Sequence, residues 1–583
     1  MTKTLLSRAL LGALLIVIPL QAQSQAAGSP VSRRAVSGPA DMIVVNARVY
    51  TVDESRPMVS AFAVKNGHFL FAGSEREVRA LAGVKTRVMD VGGATVIPGM
   101  VDAHAHLVGL GTSLANVNLA GSRTYDEVIA RVIAHARDAK PGEWILGRGW
   151  DQNLWPDKQF PTHEALTTAF PNNPVVLTRI DGHAVLANAM AMRAAKITAA
   201  TPDPTGGRVL RFKDNSPSGV FVDNAESLIG RAEPSPTREQ TTKAILAAVA
   251  EANKWGLIGI HDAGEPRSVI DIYESLAHQG KFNLRNYVLV SGDTRHSPDG
   301  GADVLHYTAI GPRSDLYDGH IWVRAIKLYA DGALGSRGAA LLAPYSDDPG
   351  NTGLLVTPPA DLERVAELAL RKGFQVGVHA IGDRGNRVVL DAYETALKAV
   401  PTADHRFRIE HAQVISPSDI PRFASLGVIP SMQASHQTSD MRWDEVRVGP
   451  DRIKGAYAWR SLLNTGVIIP DGSDFPVEEV NPLISFHSAV SRQDATNWPQ
   501  GGWYPDQMMT RSEALKAMTI WPAYAGFQEK IMGSIAPGKY ADFVVLDHDI
   551  MTVPASEILQ TRVTSTWIGG KAVYRAPVQQ GSV

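Results

Sequence analysis

Short apolar runs alternate with longer amphipathic stretches over most of this 583-residue chain. The apolar runs are strand-like, and the stretches between them have helical periodicity. The eight runs lie at residues 95–106, 256–264, 284–290, 323–327, 374–379, 408–411, 428–432 and 467–474, and later helical stretches lie at 359–372, 384–400, 416–426, 451–464 and 510–525. Alternating apolar strands and helices are typical of a buried parallel sheet. The count of eight predicts a (β/α)8 barrel in residues 95–534.

The interval between the first and second predicted strands is much longer than the others. Helical periodicity resumes only at residues 238–255, so residues 122–236 are predicted to be an insertion in the barrel. Because active sites of such barrels lie at the carboxyl ends of their strands, an insertion after strand one can cap the barrel mouth.

Both ends of the chain carry further strand patterns. Residues 42–50 and 61–72 read as strands, and Asn66-Gly67 is a strong hairpin signal. Strand patterns return at residues 541–546, 564–568 and 571–574. We predict a small β-sandwich built from residues 28–94 and 535–583, with two separate β appendages as the alternative.

The first 27 residues have the pattern of a secretory signal peptide. Lys3 and Arg8 precede an apolar run at residues 9–20, and a small, polar segment follows it. The run is shorter than the roughly 20 apolar residues that a membrane span needs. We expect export to the periplasm or the medium without stable membrane insertion, and an uncleaved N-terminal anchor is the alternative.

Composition narrows the class of partner. Hydrophobic residues make up 44% of the chain, charged residues 20%, and the formal net charge is -2, with no block of basic residues. These values are ordinary for a globular protein and provide no electrostatic footprint for nucleic acid. A small-molecule substrate is therefore expected. The chain has no cysteine, so disulfides cannot stabilise it, and stabilisation by homodimer formation stays open.

Potential metal ligands recur where the predicted strands end. His104 and His106 are two apart, a spacing that projects both side chains to one side of a strand. Four further strands carry Lys327, His379, His411 and Asp474. Paired histidines alone are common on surfaces, but five strands with such residues predict a shared metal site. Imidazole and carboxylate ligands suit zinc, with manganese or iron as alternatives.

Longer motifs around these ligands resemble the third amidohydrolase family. They lie at residues 96–104, 327–337, 379–383 and 472–476. This branch of the amidohydrolase superfamily includes N-substituted formamide deformylase. The resemblance implies a barrel flanked by a split β-sandwich, and two divalent metal ions bridged by a carboxylated Lys327. Alternatively, Lys327 pairs with Asp331 or Asp474.

The resemblance also implies a reaction. Two metals lower the pKa of a shared water toward 7, so that hydroxide can attack a carbonyl. Asp474 then takes the proton and passes it to the departing amine. We expect a metal-dependent amidohydrolase that cleaves a C–N bond other than a peptide bond. The alternatives are an ester, lactone or phosphotriester hydrolase, or a non-catalytic binding protein.

Other polar residues are candidates for contact with the substrate. His183 in the insertion could reach the substrate carbonyl, and a structural role for it is equally open. The remaining substrate-binding candidates are Trp150, Asp181, Asp331 and Arg337, and Gln433 and His436 are further pocket candidates. Glu410 is expected to lie in the barrel wall, facing away from His411.

Overall fold

A parallel barrel forms the centre of the fold. The computed structural model describes residues 38–292 and 300–577, so the predicted signal peptide lies outside the described residues. Within these ranges, seven hydrogen-bonded parallel strands follow the predicted order. They span Met100–Ala105, Leu257–Glu265, Arg285–Ser291, Ile321–Tyr329, Gln375–Ala380, Arg408–His411 and Ile429–Ser431, and Arg313–Leu316 pairs antiparallel with the fourth.

The predicted eighth strand closes the barrel without forming a regular strand. Residues 467–474 make a single bridge pair, Met432 with Asp471. The Met432 amide donates to the Pro470 carbonyl at 3.1 Å, and the Ala103 amide donates to Asp471 at 3.0 Å. Pro470 has no N–H to extend the ladder, which explains the interrupted strand. The prediction of a (β/α)8 barrel is confirmed.

Helices cover the outside of the barrel. They span Leu107–Ser113, Arg238–Lys254, Arg267–His278, Gly300–Ile310, Pro359–Lys372, Asp383–Ala399, Ile420–Leu426, Ala434–Asp440, Asp444–Arg452, Trp459–Leu463, Pro482–Ser491, Arg511–Ala517 and Ile520–Ala525. The predicted helix at 451–464 is broken at Tyr457, whose φ of 48° is incompatible with a helix. The predicted helix at 510–525 is interrupted at Thr519, which has non-helical backbone angles. No helix of the described ranges is both long and apolar enough for a membrane span.

A separate sheet forms the cap between barrel strands one and two. Its strands, in spatial order, are Gly207–Arg211, Pro217–Asp223, Ala184–Ala187, Val175–Arg179, Ile145–Trp150 and Val117–Asn118. Helices Tyr125–His135, Glu164–Ala169, Ala189–Ala194 and Glu226–Gly230 accompany it. The predicted start of the insertion at residue 122 is too late, because Val117 already pairs with Gly147 in this sheet.

Two further sheets pack as the sandwich. One has the order His68–Gly73, Ala61–Lys65, Ala40–Val45 and Ala82–Asp90, with helix Glu75–Arg79 beside it. The other has the order Lys571–Arg575, Val563–Ile568, Phe543–Leu546, Thr95–Pro98, Arg48–Tyr50 and Met58–Val59. Val96 pairs with Val545, so strands from both chain ends share one sheet. The predicted sandwich is confirmed. The predicted boundary at residue 95 assigned Thr95–Pro98 to the barrel, but this strand belongs to the sandwich.

Candidate active site and metal centre

The predicted ligands come together at the carboxyl ends of the barrel strands. Ligand atoms of His104, His411 and Asp474 all lie within 4.8 Å of one another, and the three residues are buried. They line a cavity of about 430 Å³ between barrel and cap. The cavity also contacts five other candidates from the sequence, His106, Asp181, His183, Lys327 and His379. The arrangement therefore brings six strand-end residues and two cap residues to one space.

His104 is fixed from behind by a carboxylate. Its Nδ1 lies 2.6 Å from Oε2 of Glu410, so the proton belongs on Nδ1 and the lone pair on Nε2. That Nε2 atom is 3.1 Å from Nζ of Lys327. Burial and the nearby Lys327 lower the pKa of His104 to about 4. The imidazole is thus neutral at physiological pH, as a metal ligand must be.

Glu410 has a role that the sequence did not indicate. It lies inside the barrel, and Arg408 donates to it over 2.9 Å. Burial would raise the pKa of Glu410, but Arg408 and His104 hold it well below its ordinary value. The carboxylate is therefore charged and can orient His104. The sequence offered one signal for this role, the Arg408-x-Glu410 pair on one face of an apolar strand. His104, which Glu410 contacts, is 306 residues away in the chain.

His411 and His379 are supported in a similar way. Nδ1 of His411 contacts Oε1 of Gln433 at 2.7 Å, which leaves Nε2 as its ligand atom. Nε2 of His379 lies 3.6 Å from Asp331. Asp331 is fully buried and accepts hydrogen bonds from the amides of Ala340, Ile381 and Gly382. Asp331 does not line the cavity, so the prediction that it contacts substrate is wrong; it supports His379 and the loop after strand four.

Asp474 lies between the histidines of the barrel and the cavity. Its amide donates to the His104 carbonyl at 2.7 Å, and its φ is 58°. Oδ1 is 3.1 Å from Nε2 of His106, in an orientation outside hydrogen-bond geometry. Burial would raise the pKa of Asp474, but His106 and His436 hold it well below its ordinary value. The carboxylate is ionised at neutral pH and has a buried oxygen available for coordination.

These residues fit a divalent cation. Two neutral imidazoles direct Nε2 toward an ionised carboxylate, and the site has no thiolate, a donor set suited to zinc, manganese or iron. Lys327 is 1% exposed and approaches the same atoms. Its carboxylation and the number of ions stay predictions.

The cap contributes His183 and Asp181 to the cavity. Nδ1 of His183 lies 2.8 Å from Oδ1 of Asp223, and its ring centre is 5.0 Å from that of His379. Asp181 accepts from the His183 amide at 3.1 Å and pairs with Arg179 at 2.5 Å. Burial would lower the pKa of His183, but Asp223 raises it above its ordinary value. His183 is therefore a candidate hydrogen-bond donor facing the metal centre.

Two further predicted substrate contacts, besides Asp331, are wrong. Trp150 is fully buried in the core of the cap, where its Nε1 donates to the Leu177 carbonyl at 2.7 Å. A bulge between Arg148 and Trp150 interrupts the alternation along this strand, so position alone did not show which face Trp150 occupies. Arg337 pairs with Asp347 at 2.9 Å and lines neither cavity at the site.

A second cavity of about 300 Å³ lies on the other side of the same residues. It shares Asp181, His183, His379, His411 and Asp474 with the first. The second cavity also reaches the predicted pocket residue His436. The candidate metal ligands therefore border two cavities.

Comparison with known proteins agrees with this site. A model of the amidohydrolase family matches residues 87–574. Protein LONG AFTER FAR-RED 3 of Arabidopsis thaliana is 32% identical over 92% of both chains. N-substituted formamide deformylase of Arthrobacter pascens is 29% identical over 92% of this chain and 98% of its own. An uncharacterized metal-dependent hydrolase from Pyrococcus horikoshii has a TM-score of 0.71 at 26% identity, covering 88% of this chain and 99% of that chain. The resemblance seen in the sequence is confirmed: this chain belongs to the amidohydrolase family.

Proposed function

We propose that this protein hydrolyses the C–N bond of a small-molecule amide with two divalent metal ions. The observation that carries the proposal is the convergence of His104, His411 and Asp474 within 4.8 Å in the lining of one cavity. Membership of a metal-dependent family supports it. The relative named N-substituted formamide deformylase makes an N-substituted formamide one substrate class to test.

Lys327 completes the proposed metal centre. Its amine is buried and lies 3.1 Å from Nε2 of His104. Lysine is a poor ligand while protonated, but burial and neighbouring groups can depress its pKa. The neutral amine would add to CO2 and lose a proton, giving an N-carboxylate whose two oxygens could bind metal. We infer zinc as the metal, with manganese and iron as alternatives; when bound, the pair supplies Lewis-acid activation of water and of the carbonyl.

Asp474 and His183 perform the proton and hydrogen-bond steps in this proposal. Ionised Asp474 accepts a proton from the attacking water and delivers it to the nitrogen of the departing amine. His183, held by Asp223 at 2.8 Å, donates to the carbonyl oxygen as negative charge develops there. The barrel thus supplies the proton carrier and the cap supplies the donor.

Export is part of the proposal and rests on the sequence alone. Lys3, Arg8 and the apolar run at residues 9–20 support a cleaved signal peptide. Mass spectrometry of the protein from its native source should give a mature N-terminus near residue 27. An intact Met1 on the mature protein would contradict cleavage.

Reconstitution with single metals tests the activity. Purified protein should be stripped of metal, loaded with zinc, manganese or iron, and assayed with N-substituted formamides, N-acyl amino acids and matched esters. We expect metal-dependent amide hydrolysis that Asp474→Asn lowers about 10²- to 10⁴-fold, while Asp126→Asn on an exposed cap helix leaves it unchanged. Turnover of esters alone by the metal-loaded enzyme would contradict the amide assignment.

A further inference from the structure

Arg148 is a cation in the active-site cavity that forms no ion pair with a carboxylate of the described residues. It belongs to cap strand Ile145–Trp150 and lines the 430 Å³ cavity with Asp474 and His183. Its Nη2 donates to the Ile180 carbonyl at 2.8 Å. Its buried Nε has no hydrogen-bond partner within residues 38–292 and 300–577, and no carboxylate of those ranges comes within 4.0 Å of the guanidinium. A buried guanidinium normally has such a partner.

The neighbouring arginine of the cap shows the ordinary arrangement. Arg179 also lies on a cap strand, and it pairs with Asp151 and Asp181, each at 2.5 Å. Asp181 lines the cavity, but it is engaged by Arg179 and by the His183 amide. The charge of Arg179 is thus paired within the cap by two carboxylates, whereas the guanidinium of Arg148 has no such pair within 4.0 Å.

The negative charges of Asp474 and Asp181 favour the charged form of Arg148, but neither carboxylate comes within 4.0 Å of its guanidinium. Glu233 and Glu265 line the same cavity. Burial raises the pKa of Glu233 to about 7, and burial with the adjacent Asp262 raises the pKa of Glu265 well above its ordinary value. Burial thus disfavours the charged form of both carboxyls near neutral pH. Arginine stays charged throughout this range.

We propose that Arg148 binds a carboxylate of the substrate, so that the enzyme acts on amides that carry an anionic group, such as N-acyl amino acids. This inference rests on the proposed amide hydrolysis. A guanidinium fork matches the two oxygens of a carboxylate, and charge-assisted pairs are stronger than neutral ones. Because Arg148 and Asp474 line one cavity, the carboxylate would be held on the cap side while the amide faces the metal ligands.

Matched substrates test the charge requirement. The assay compares N-formyl and N-acetyl amino acids with their carboxamides, which have the same shape without the negative charge. For the wild type, we expect kcat/KM about 10- to 100-fold higher for the acids, the range of a hydrogen bond to a charged group. Arg148→Met should remove this preference and lower kcat/KM mainly for the acids. Equal losses for acids and carboxamides would overturn the assignment.

Two further variants separate binding from structure. Arg148→Lys retains the charge but lacks the fork, so it should restore part of the preference for acids. Arg193→Met changes an exposed arginine of the same cap, outside both cavities, and should change neither substrate. Metal content and Tm should be the same in all three variants. A loss of metal in Arg148→Met would show a structural role instead.

A binding measurement keeps this inference separate from the proposed function. Metal-loaded Asp474→Asn enzyme, with Arg148 intact or replaced by Met, is titrated calorimetrically with N-acetyl amino acids and their carboxamides. We expect the acids to bind about 10- to 100-fold more tightly only when Arg148 is present. This result would uphold anion binding even if the wild type cleaved no amide. Equal affinities, or no measurable binding of the acids, would overturn it.

Discussion

The barrel wall and the cap wall of the active-site cavity are built on different principles. On the barrel side, His104 and His411 project from strand ends, and Glu410 and Gln433 fix their rings from behind. On the cap side, His183 follows a turn, and its side chain is held by one carboxylate. Each ring is thus fixed by one side-chain contact, but His104 and His411 belong to the parallel barrel strands, whereas His183 precedes a strand of the separate cap sheet. We expect the barrel to hold the metal and carry the proton, and the cap to supply the carbonyl donor and select substrates.

The largest effect should come from Asp474 on the barrel wall. Asp474→Asn retains an oxygen for the metal but cannot accept a proton, so kcat should fall about 10²- to 10⁴-fold. Metal content should stay near that of the wild type. Steady-state kinetics and elemental analysis measure both quantities, with Asp126→Asn as the control. Near-normal turnover with full metal content would assign the proton transfer to another group, with His183 the next candidate.

Glu410 tests whether support from behind matters on the barrel wall. Glu410→Gln weakens the orientation of His104, so metal affinity should fall about 10- to 100-fold. The change also leaves buried Arg408 without its charged partner, which should destabilise the fold by about 3–5 kcal/mol. Competition with a chelator measures affinity, and urea unfolding measures stability. Glu239→Gln, on an exposed helix face, is the control. Unchanged affinity would mean that His104 needs no such support.

Two cap substitutions should separate specificity from stability. His183→Ala should lower kcat/KM for every amide, because the donor to the carbonyl oxygen is lost. The loss should also differ between two substrates, with metal content unchanged, because His183 lines the cavity. Trp150→Ala should instead cost about 3–5 kcal/mol of stability, because Trp150 is buried in the cap core. Kinetics on paired substrates and thermal unfolding give the two readouts. If His183→Ala lowers kcat/KM equally for every substrate, the cap residue is not a determinant of specificity.

The smallest expected effect is on the pH dependence of the free energy of unfolding, to which the buried carboxyl of Glu233 contributes. Burial raises the pKa of this carboxyl from 4.5 to about 7. Between these values the folded state binds more protons than the unfolded state, so the free energy of unfolding falls as pH rises. Glu233→Gln should remove this contribution, and stability should then decline less between pH 4.5 and 7. Urea unfolding across this range measures it. An unchanged slope would show that Glu233 ionises as in the unfolded chain.

The barrel was accessible from sequence because its pattern is local. Five of the eight predicted strands are apolar runs that end in a potential ligand, so His104 and His411 could be placed without knowing their neighbours. Glu410 could not, since its role depends on His104, which is distant in the chain. Trp150 was named because it lies in the insertion, and that position alone did not show which cap residues face the cavity. That Arg148 lines the same cavity as Asp474 could be seen only in the structure.

Metal stoichiometry tests the central claim most directly. Wild-type protein and Lys327→Ala should be reconstituted with zinc, freed of excess ion, and measured by elemental analysis against protein concentration. The account predicts two equivalents per chain in the wild type, and a clear loss in Lys327→Ala that a short carboxylic acid partly restores. One equivalent or fewer in the reconstituted wild type would contradict the two-metal site. Two equivalents in Lys327→Ala would contradict a bridging role for Lys327.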